Sequence, residues 1–134
     1  MTDQRLAIID MGTNTFHLLV VDIHGHDWTE LHRERVFVNL AEDGIKRISP
    51  AAWERAIAAV KSFQDHITSE QISHVRAVGT SALRNAGNAP ELLRHVKLAF
   101  NIDVKVISGI QEASYICKGV IAAAQPSRPV LIMD

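Results

Sequence analysis

The stretch LAIIDMGTNTFHLLVV, residues 6–21, decides the fold. Leu6, Ala7, Ile8 and Ile9 read as a buried strand ending on a carboxylate, Asp10, and a second apolar run at residues 16–21 follows after only five residues. Two such runs at that spacing pair as a hairpin. Its turn, Met11-Gly12-Thr13-Asn14-Thr15, combines a glycine that can take positive φ, an asparagine that tolerates it, and two hydroxyls beside backbone N–H groups. These are the parts of a phosphate cradle. Successive N–H groups in a tight turn form a partly positive concavity, the hydroxyls add donors, and an acid at the strand end can hold magnesium or its waters. A hairpin turn can also carry Gly and Asn for backbone reasons alone, so the motif gains weight only from its companions.

The chain has 134 residues, enough for about one domain that buries roughly two-thirds of its unfolded surface. Apolar residues make up 47% and charged residues 22%, the balance of a packed domain rather than a disordered chain. A net charge of −1 gives no bulk attraction to nucleic acid or to an anionic membrane, so any anion site must be local. The single cysteine, Cys117, excludes a disulfide framework and a C-x-x-C metal or redox motif, and suits a reducing compartment. No apolar run approaches the roughly 18 residues of a membrane span. The start Thr2-Asp3-Gln4-Arg5 leads into a strand rather than a signal peptide, and a cytoplasmic location is expected.

Outward from the hairpin, His24-Gly25-His26-Asp27 makes a polar turn, and residues 28–40 read as a third, irregular edge strand interrupted by Glu30, His32, Glu34 and Asn39. The His24-x-His26 pair lacks a third ligand nearby and reads as a solvated turn. Ser49-Pro50 is an N-cap with proline at the first helical position, and Trp53, Ala56, Ile57, Val60, Phe63 and Ile67 then form an apolar stripe. Residues 72–79 return to strand character. Asn88-Ala89-Pro90-Glu91 resembles a capping box opening a helix over residues 89–100, with the stripe Leu92, Leu93, Val96, Ala99 and Phe100, closed by Asn101. Residues 103–107 read as a short buried strand, and Ser108 with Gln111 as the reciprocal cap of a further helix. That helix is expected to bury Ala113, Ile116, Cys117, Val120 and Ala124, with Cys117 as a small core residue rather than a nucleophile. Pro126-Ser127-Arg128-Pro129 reads as a stiff linker, and residues 130–133 as the start of another strand ending on Asp134.

Three antiparallel strands followed by helix, strand, helix, strand and helix give an α/β fold: a mixed five-stranded sheet flanked by helices, with the parallel strands added by right-handed crossovers. This βββαβαβα order resembles the ribonuclease-H-like half-domain of the actin, sugar kinase and heat-shock chaperone superfamily. There two such halves close on a phosphoanhydride, each opening on a strand that ends in an acid. The repeat of Ala7-Ile8-Ile9-Asp10 in Leu131-Ile132-Met133-Asp134 echoes that duplication. Residues 1–125 are therefore expected to form one half-domain, and residues 126–134 a linker and the first strand of a second.

Two further segments sit at the same ends of the sheet. Arg84 lies just past the strand ending at Gly79, where ligands bind in open α/β sheets, and its guanidinium can fork onto phosphate oxygens. Glu112 falls in a first helical turn, a place a carboxylate also takes for structural reasons. Together GTSALRNAGN (79–88), ISGIQEA (107–113) and IDMGTNTFHLLV (9–20) resemble, in order, three motifs of the exopolyphosphatase and guanosine pentaphosphate phosphohydrolase family.

That resemblance implies magnesium-assisted hydrolysis of a terminal phosphoryl group, from inorganic polyphosphate or from guanosine pentaphosphate. By position, Gly12, Thr13, Asn14 and Thr15 would bind phosphate, with Asp10 as the acid near the metal. Arg84 would hold the substrate phosphate, and Glu112 would orient or deprotonate the attacking water. Asp134 would be the metal-side acid of the second loop, whose glycine-rich continuation is absent. It further implies a second domain of the same protein as partner, a homodimer at full length, and a fragment nearly inactive by itself. Residues 130–134 offer a strand that a neighbouring chain's sheet edge could accept. A kinase or ATPase of the same superfamily, and a noncatalytic phosphate or alarmone sensor, are the rival readings.

Overall fold

Alternation along β1 (Gln4–Met11) sets the two sides of the molecule. Ala7, Ile9 and Met11 are fully buried on one face, while Leu6, Ile8 and Asp10 on the other are half-buried. Phe16, Leu18 and Val20 of β2 (Thr15–His24) extend the buried face, and a register shift at Val20/Val21 interrupts its pairing with β3 (Asp27–Phe37). The remaining elements of the computed structural model, which describes residues 3–124, are α1 (Pro50–Ser69), β4 (His74–Gly79), α2 (Ser81–Asn85), α3 (Ala89–Phe100), β5 (Val104–Val106) and α4 (Gly109–Ala124). The sheet order is β3-β2-β1-β4-β5, antiparallel among the first three strands and parallel from β1 to β4 to β5. The expected order of elements is present, with α2 as an unforeseen addition. The 126–129 linker, the 130–133 strand and Asp134 lie outside the described residues.

The core fills the space between the buried sheet face and α1 and α3. Ala52, Ala56, Ala59, Val60, Phe63 and Ile67 come from α1, and Ala89, Leu92 and Val96 from α3. Burying a side chain such as Phe63 stabilises by about 2–3 kcal/mol. Trp53 and Ile57 sit at the margin of that stripe, and Ala99 faces solvent, because three- and four-residue spacing spans more of a helix surface than this contact covers. The polar residues of β3 also have a structural cause. His32 and Glu34 lie opposite Val20 and Leu18, on the core side but at its rim, where polar residues of α1 meet them. The Ser62 hydroxyl donates to Glu34 at 2.7 Å, and the His32 and His66 rings stack at 3.8 Å.

The helix starts differ in how far local chemistry fixes them. Ser49 caps α1 by accepting the Ala52 N–H, and Ser108 and Gln111 cap α4 reciprocally at 3.0 and 3.1 Å, as expected. Asn88 does not cap α3. Its buried side chain instead spans 40 positions, accepting the Ile48 N–H and donating to the Ile48 carbonyl, both at 2.9 Å. Removing it leaves both Ile48 groups buried without partners, so Asn88→Ala is expected to cost about 2–4 kcal/mol. An unchanged urea midpoint would show that Ile48 finds other partners. Asn101 ends α3 in the left-handed region, φ 54.

Two sequence expectations fail on the second face. The strand expected over 103–107 is three residues long and lies at the sheet edge, with Lys105 and Val106 exposed rather than buried. On α4 Ile116 of the expected stripe is half-buried while Ala113, Cys117 and Val120 are exposed, so Cys117 is not a core residue here. The cause is coverage. Helix α4 lies over Leu6 and Ile8 of the second sheet face with a cleft of about 600 Å³ between, and does not seal against it.

Candidate active site

The turn after β1 is held from behind. Gly12 N–H donates to the Thr15 carbonyl at 3.1 Å, closing the turn. The carbonyls of Thr13 and Asn14 accept from the segment that leaves β3: Leu40 N–H donates to Thr13 at 2.7 Å, and Val38 and Asn39 N–H donate to Asn14 at 2.8 and 2.9 Å. Residues 38–40 were expected to continue the strand; they turn aside to make these bonds. A trans peptide points its N–H opposite its C=O, so the Asn14 and Thr15 N–H groups are aimed away from residues 38–40. Neither Gly12 nor Asn14 takes positive φ, contrary to the reading of the turn. Glycine is required at 12 for a different reason: a Cβ there would lie 2.9 Å from the Thr15 carbonyl oxygen.

From the turn the contacts pass to Arg84. The Thr13 hydroxyl accepts the Ala82 N–H of α2 at 3.2 Å, and Thr80 N–H reaches the Met11 carbonyl at 3.3 Å. Helix α2 thereby hangs its last-turn Arg84 beside the start of α4. There Nη1 donates to the Ile107 carbonyl at 2.8 Å and to Glu112 Oε2 at 3.0 Å. Arg84 and Glu112 are an ion pair, 26% and 31% exposed, a partner relation no single motif contained. Gly79 makes room for this corner, since a Cβ there would meet Leu83 Cδ1 at 2.6 Å.

Asp10 faces the second side of the sheet. It pairs directly with His17 across β1 and β2, and His17 in turn with Arg35. Its Oδ1 is buried and has no hydrogen-bond partner among the described residues. Burial pushes its carboxyl above the usual range; the charge of His17 works against this and that of Glu112 adds to it. Asp10, Thr80 and Glu112 line one cleft with Leu6, Ile8 and Tyr115. The turn at 12–15 and Arg84 do not line that cleft, but are fastened to it through Thr80 and Glu112. Asp134 lies outside the described residues. Among those residues no three or more His, Cys, Asp and Glu side chains group as a metal site, and His24 lies 3.1 Å from Asp3.

Thr80 and the 38–40 segment were missed by sequence reasoning. The one available signal was the apolar run Val36-Phe37-Val38 before Asn39, where strand alternation breaks; Asn39 takes φ 50. Among the described residues no helix is long and apolar enough to cross a membrane.

Comparison with known proteins adds to this geometry. Residues 19–134 match the model of the Ppx/GppA phosphatase family. A guanosine-5'-triphosphate,3'-diphosphate pyrophosphatase of Aeromonas hydrophila is 34% identical over 130 residues, covering 96% of this chain and 26% of the relative. Exopolyphosphatase 1 of Mycobacterium leprae is 30% identical over 113 residues, covering 81% of this chain and 33% of that protein. Among solved structures, an exopolyphosphatase from Cytophaga hutchinsonii superposes with a TM-score of 0.84 at 42% identity, over 87% of this chain and 38% of that one. The Aquifex aeolicus PPX-GPPA enzyme gives 0.86 at 27% identity, over 95% and 43%. The chain thus spans between about a quarter and under half of the length of these relatives. It belongs to the Ppx/GppA phosphatase family.

Proposed function

We propose that this chain furnishes one half of a cleft that hydrolyses a terminal phosphoanhydride, releasing orthophosphate from inorganic polyphosphate or from guanosine pentaphosphate. One observation carries the reading. The carbonyls of Thr13 and Asn14 in the 12–15 turn are tied back, and the same strand ends hold a guanidinium, Arg84, against a carboxylate, Glu112, with Asp10 in the adjoining cleft. Names among the relatives supply the two substrates: one is a guanosine-5'-triphosphate,3'-diphosphate pyrophosphatase, another an exopolyphosphatase.

Phosphoryl transfer needs positioning and charge neutralisation more than covalent help. The N–H groups of Asn14 and Thr15 would bind phosphate oxygens, with Gly12 and Thr13 shaping the turn. Arg84 uses Nη1 for Glu112, and its remaining N–H groups would hold the transferred phosphoryl. Glu112 engages Arg84 through Oε2, so Oε1 would accept a proton as the water oxygen bonds to phosphorus and the bridging P–O bond breaks. Glu112 is then the catalytic base.

Magnesium fits the oxygen donors present. Asp10 offers a buried carboxylate oxygen with no other partner among the described residues, and magnesium takes only one or two protein carboxylates, completing its shell with water and substrate phosphate. When bound it would neutralise phosphate charge. In this reading Asp134 supplies a second acid, residues 1–125 are the first half-domain, residues 126–134 lead into the second, and the full-length protein is a cytoplasmic homodimer.

Titration of the ¹⁵N-labelled chain with tripolyphosphate and magnesium tests the site. Amide shifts are expected to concentrate at Gly12, Thr13, Asn14, Thr15, Arg84 and Glu112. Shifts confined to the exposed arginines of β3, Arg33 and Arg35, would overturn the assignment.

A further inference from the structure

Arg55 belongs to α1, on the far side of the 38–40 segment from the phosphate turn, and nothing in the proposed chemistry uses it. Its guanidinium is nevertheless committed, through Nε and Nη2, to backbone and to one acid. Nε donates to the Val38 carbonyl at 2.7 Å, and Nη2 donates to the Asn39 carbonyl at 3.4 Å and to Glu42 Oε2 at 2.7 Å. Glu42 is held in turn by the hydroxyl of Ser49, the residue that caps α1. Arg55 and Ser62 hold hydrophilic positions on a helix whose neighbouring Ala52, Ala56 and Ala59 are core. Both instead serve the strand and segment beside them.

The same two peptide units face the phosphate turn on their other side. The peptide whose carbonyl is Val38 carries the Asn39 N–H, which donates to Asn14; the peptide whose carbonyl is Asn39 carries the Leu40 N–H, which donates to Thr13. Thr13 and Asn14 carbonyls belong to the peptides whose N–H groups are those of Asn14 and Thr15. Two parallel rows of hydrogen bonds therefore run from one guanidinium, through two peptides each, to the N–H groups aimed at the phosphate position. Each link polarises the next in the same sense, and a cation at one end strengthens donors at the other.

We propose that Arg55 is a positioning residue for phosphate: it fixes the turn at residues 12–15 and raises the donor strength of the Asn14 and Thr15 N–H groups through the intervening peptides. The proposal rests on the phosphate-binding role of that turn, but its mechanical part does not. Asn39 sits at φ 50, in the left-handed region that asparagine tolerates better than most side chains, and the bonds from Arg55 to its carbonyl and to that of Val38 hold the segment there.

Amide hydrogen exchange and tripolyphosphate binding of Arg55→Gln and Arg55→Lys test it. Arg55 is partly exposed, so both variants are expected to fold; Glu42→Gln, which loosens the guanidinium without touching it, serves as an independent variant. In Arg55→Gln the Asn39 and Leu40 amides are expected to exchange at least tenfold faster, while the β1–β2 ladder keeps its protection. Tripolyphosphate affinity is expected to fall roughly five- to tenfold, and Arg55→Lys to recover a good part of it, which loss of packing alone would not produce. Undiminished protection at residues 39 and 40 overturns the brace. Faster exchange with unchanged affinity overturns the relay. If wild type gives no tripolyphosphate response, the phosphate reading of the turn fails, and the exchange comparison alone decides the brace.

Discussion

Glu112→Gln, in the protein that carries both halves of the cleft, is expected to lower turnover by about 10²–10⁴ with little change in KM, the usual worth of a general base. Glutamine keeps an oxygen to accept the Arg84 N–H at the place of Oε2, so the corner formed by α2, Ile107 and α4 stays assembled. It cannot take up a proton at neutral pH. Steady-state orthophosphate release from polyphosphate and from guanosine pentaphosphate measures the effect for both substrates. A rate within threefold of wild type would assign Glu112 to holding Arg84 and nothing more. Substitution of Arg84 by Ala should differ in kind, raising KM as well, because on the proposed roles it removes the phosphate's cation while freeing the carboxylate.

Asp10→Asn is expected to abolish magnesium-dependent turnover and yet make the chain more stable. Burial and the charge of Glu112 hold the Asp10 carboxyl above its unfolded pKa, outweighing the opposing charge of His17. The sign follows: with the folded pKa raised, the charged carboxylate costs stability at neutral pH. That cost is relieved as pH falls through the folded pKa toward the ordinary value of about 3.9. Asparagine removes the charge at every pH. A gain of about 1 kcal/mol, or roughly 3–5 °C in Tm at pH 7, is expected, shrinking toward pH 4. Thermal melts at the two pH values check it, and a lower Tm at pH 7 would mean that Asp10 is satisfied by its surroundings. Stability gained together with activity lost is the mark of a carboxylate kept for function.

What could be read in advance was whatever short-range chemistry decides. The close of α3 at Asn101, the Ser49-Pro50 start of α1 and the Ser108–Gln111 cap follow from neighbours within four residues. The three motifs placed Arg84, Glu112 and the 12–15 turn at the same ends of one sheet. The failures, apart from Gly12, are matters of distant partners. Asn88 looked like a cap because its neighbours fit one, but Ile48 claims its side chain. Gly12 looked like a positive-φ residue, while the demand on it comes from the Thr15 carbonyl. The exposure of Cys117 and the pairing of Arg84 with Glu112 depend on how α4 lies over the sheet, and no periodicity encodes that.

The stitch between the Thr13 hydroxyl and the Ala82 N–H joins residues 69 positions apart. The β1–β2–β3 meander closes through short connections, whereas β4 can dock on β1 only after α1 has been crossed, a loop whose closure is entropically slower. The three-stranded meander is therefore expected to form while Arg84 is still remote from the 12–15 turn. On the proposed function, the capacity to hold phosphate then arrives after the meander, and a nascent chain is expected to lack the means to capture a polyanion until β4 has docked.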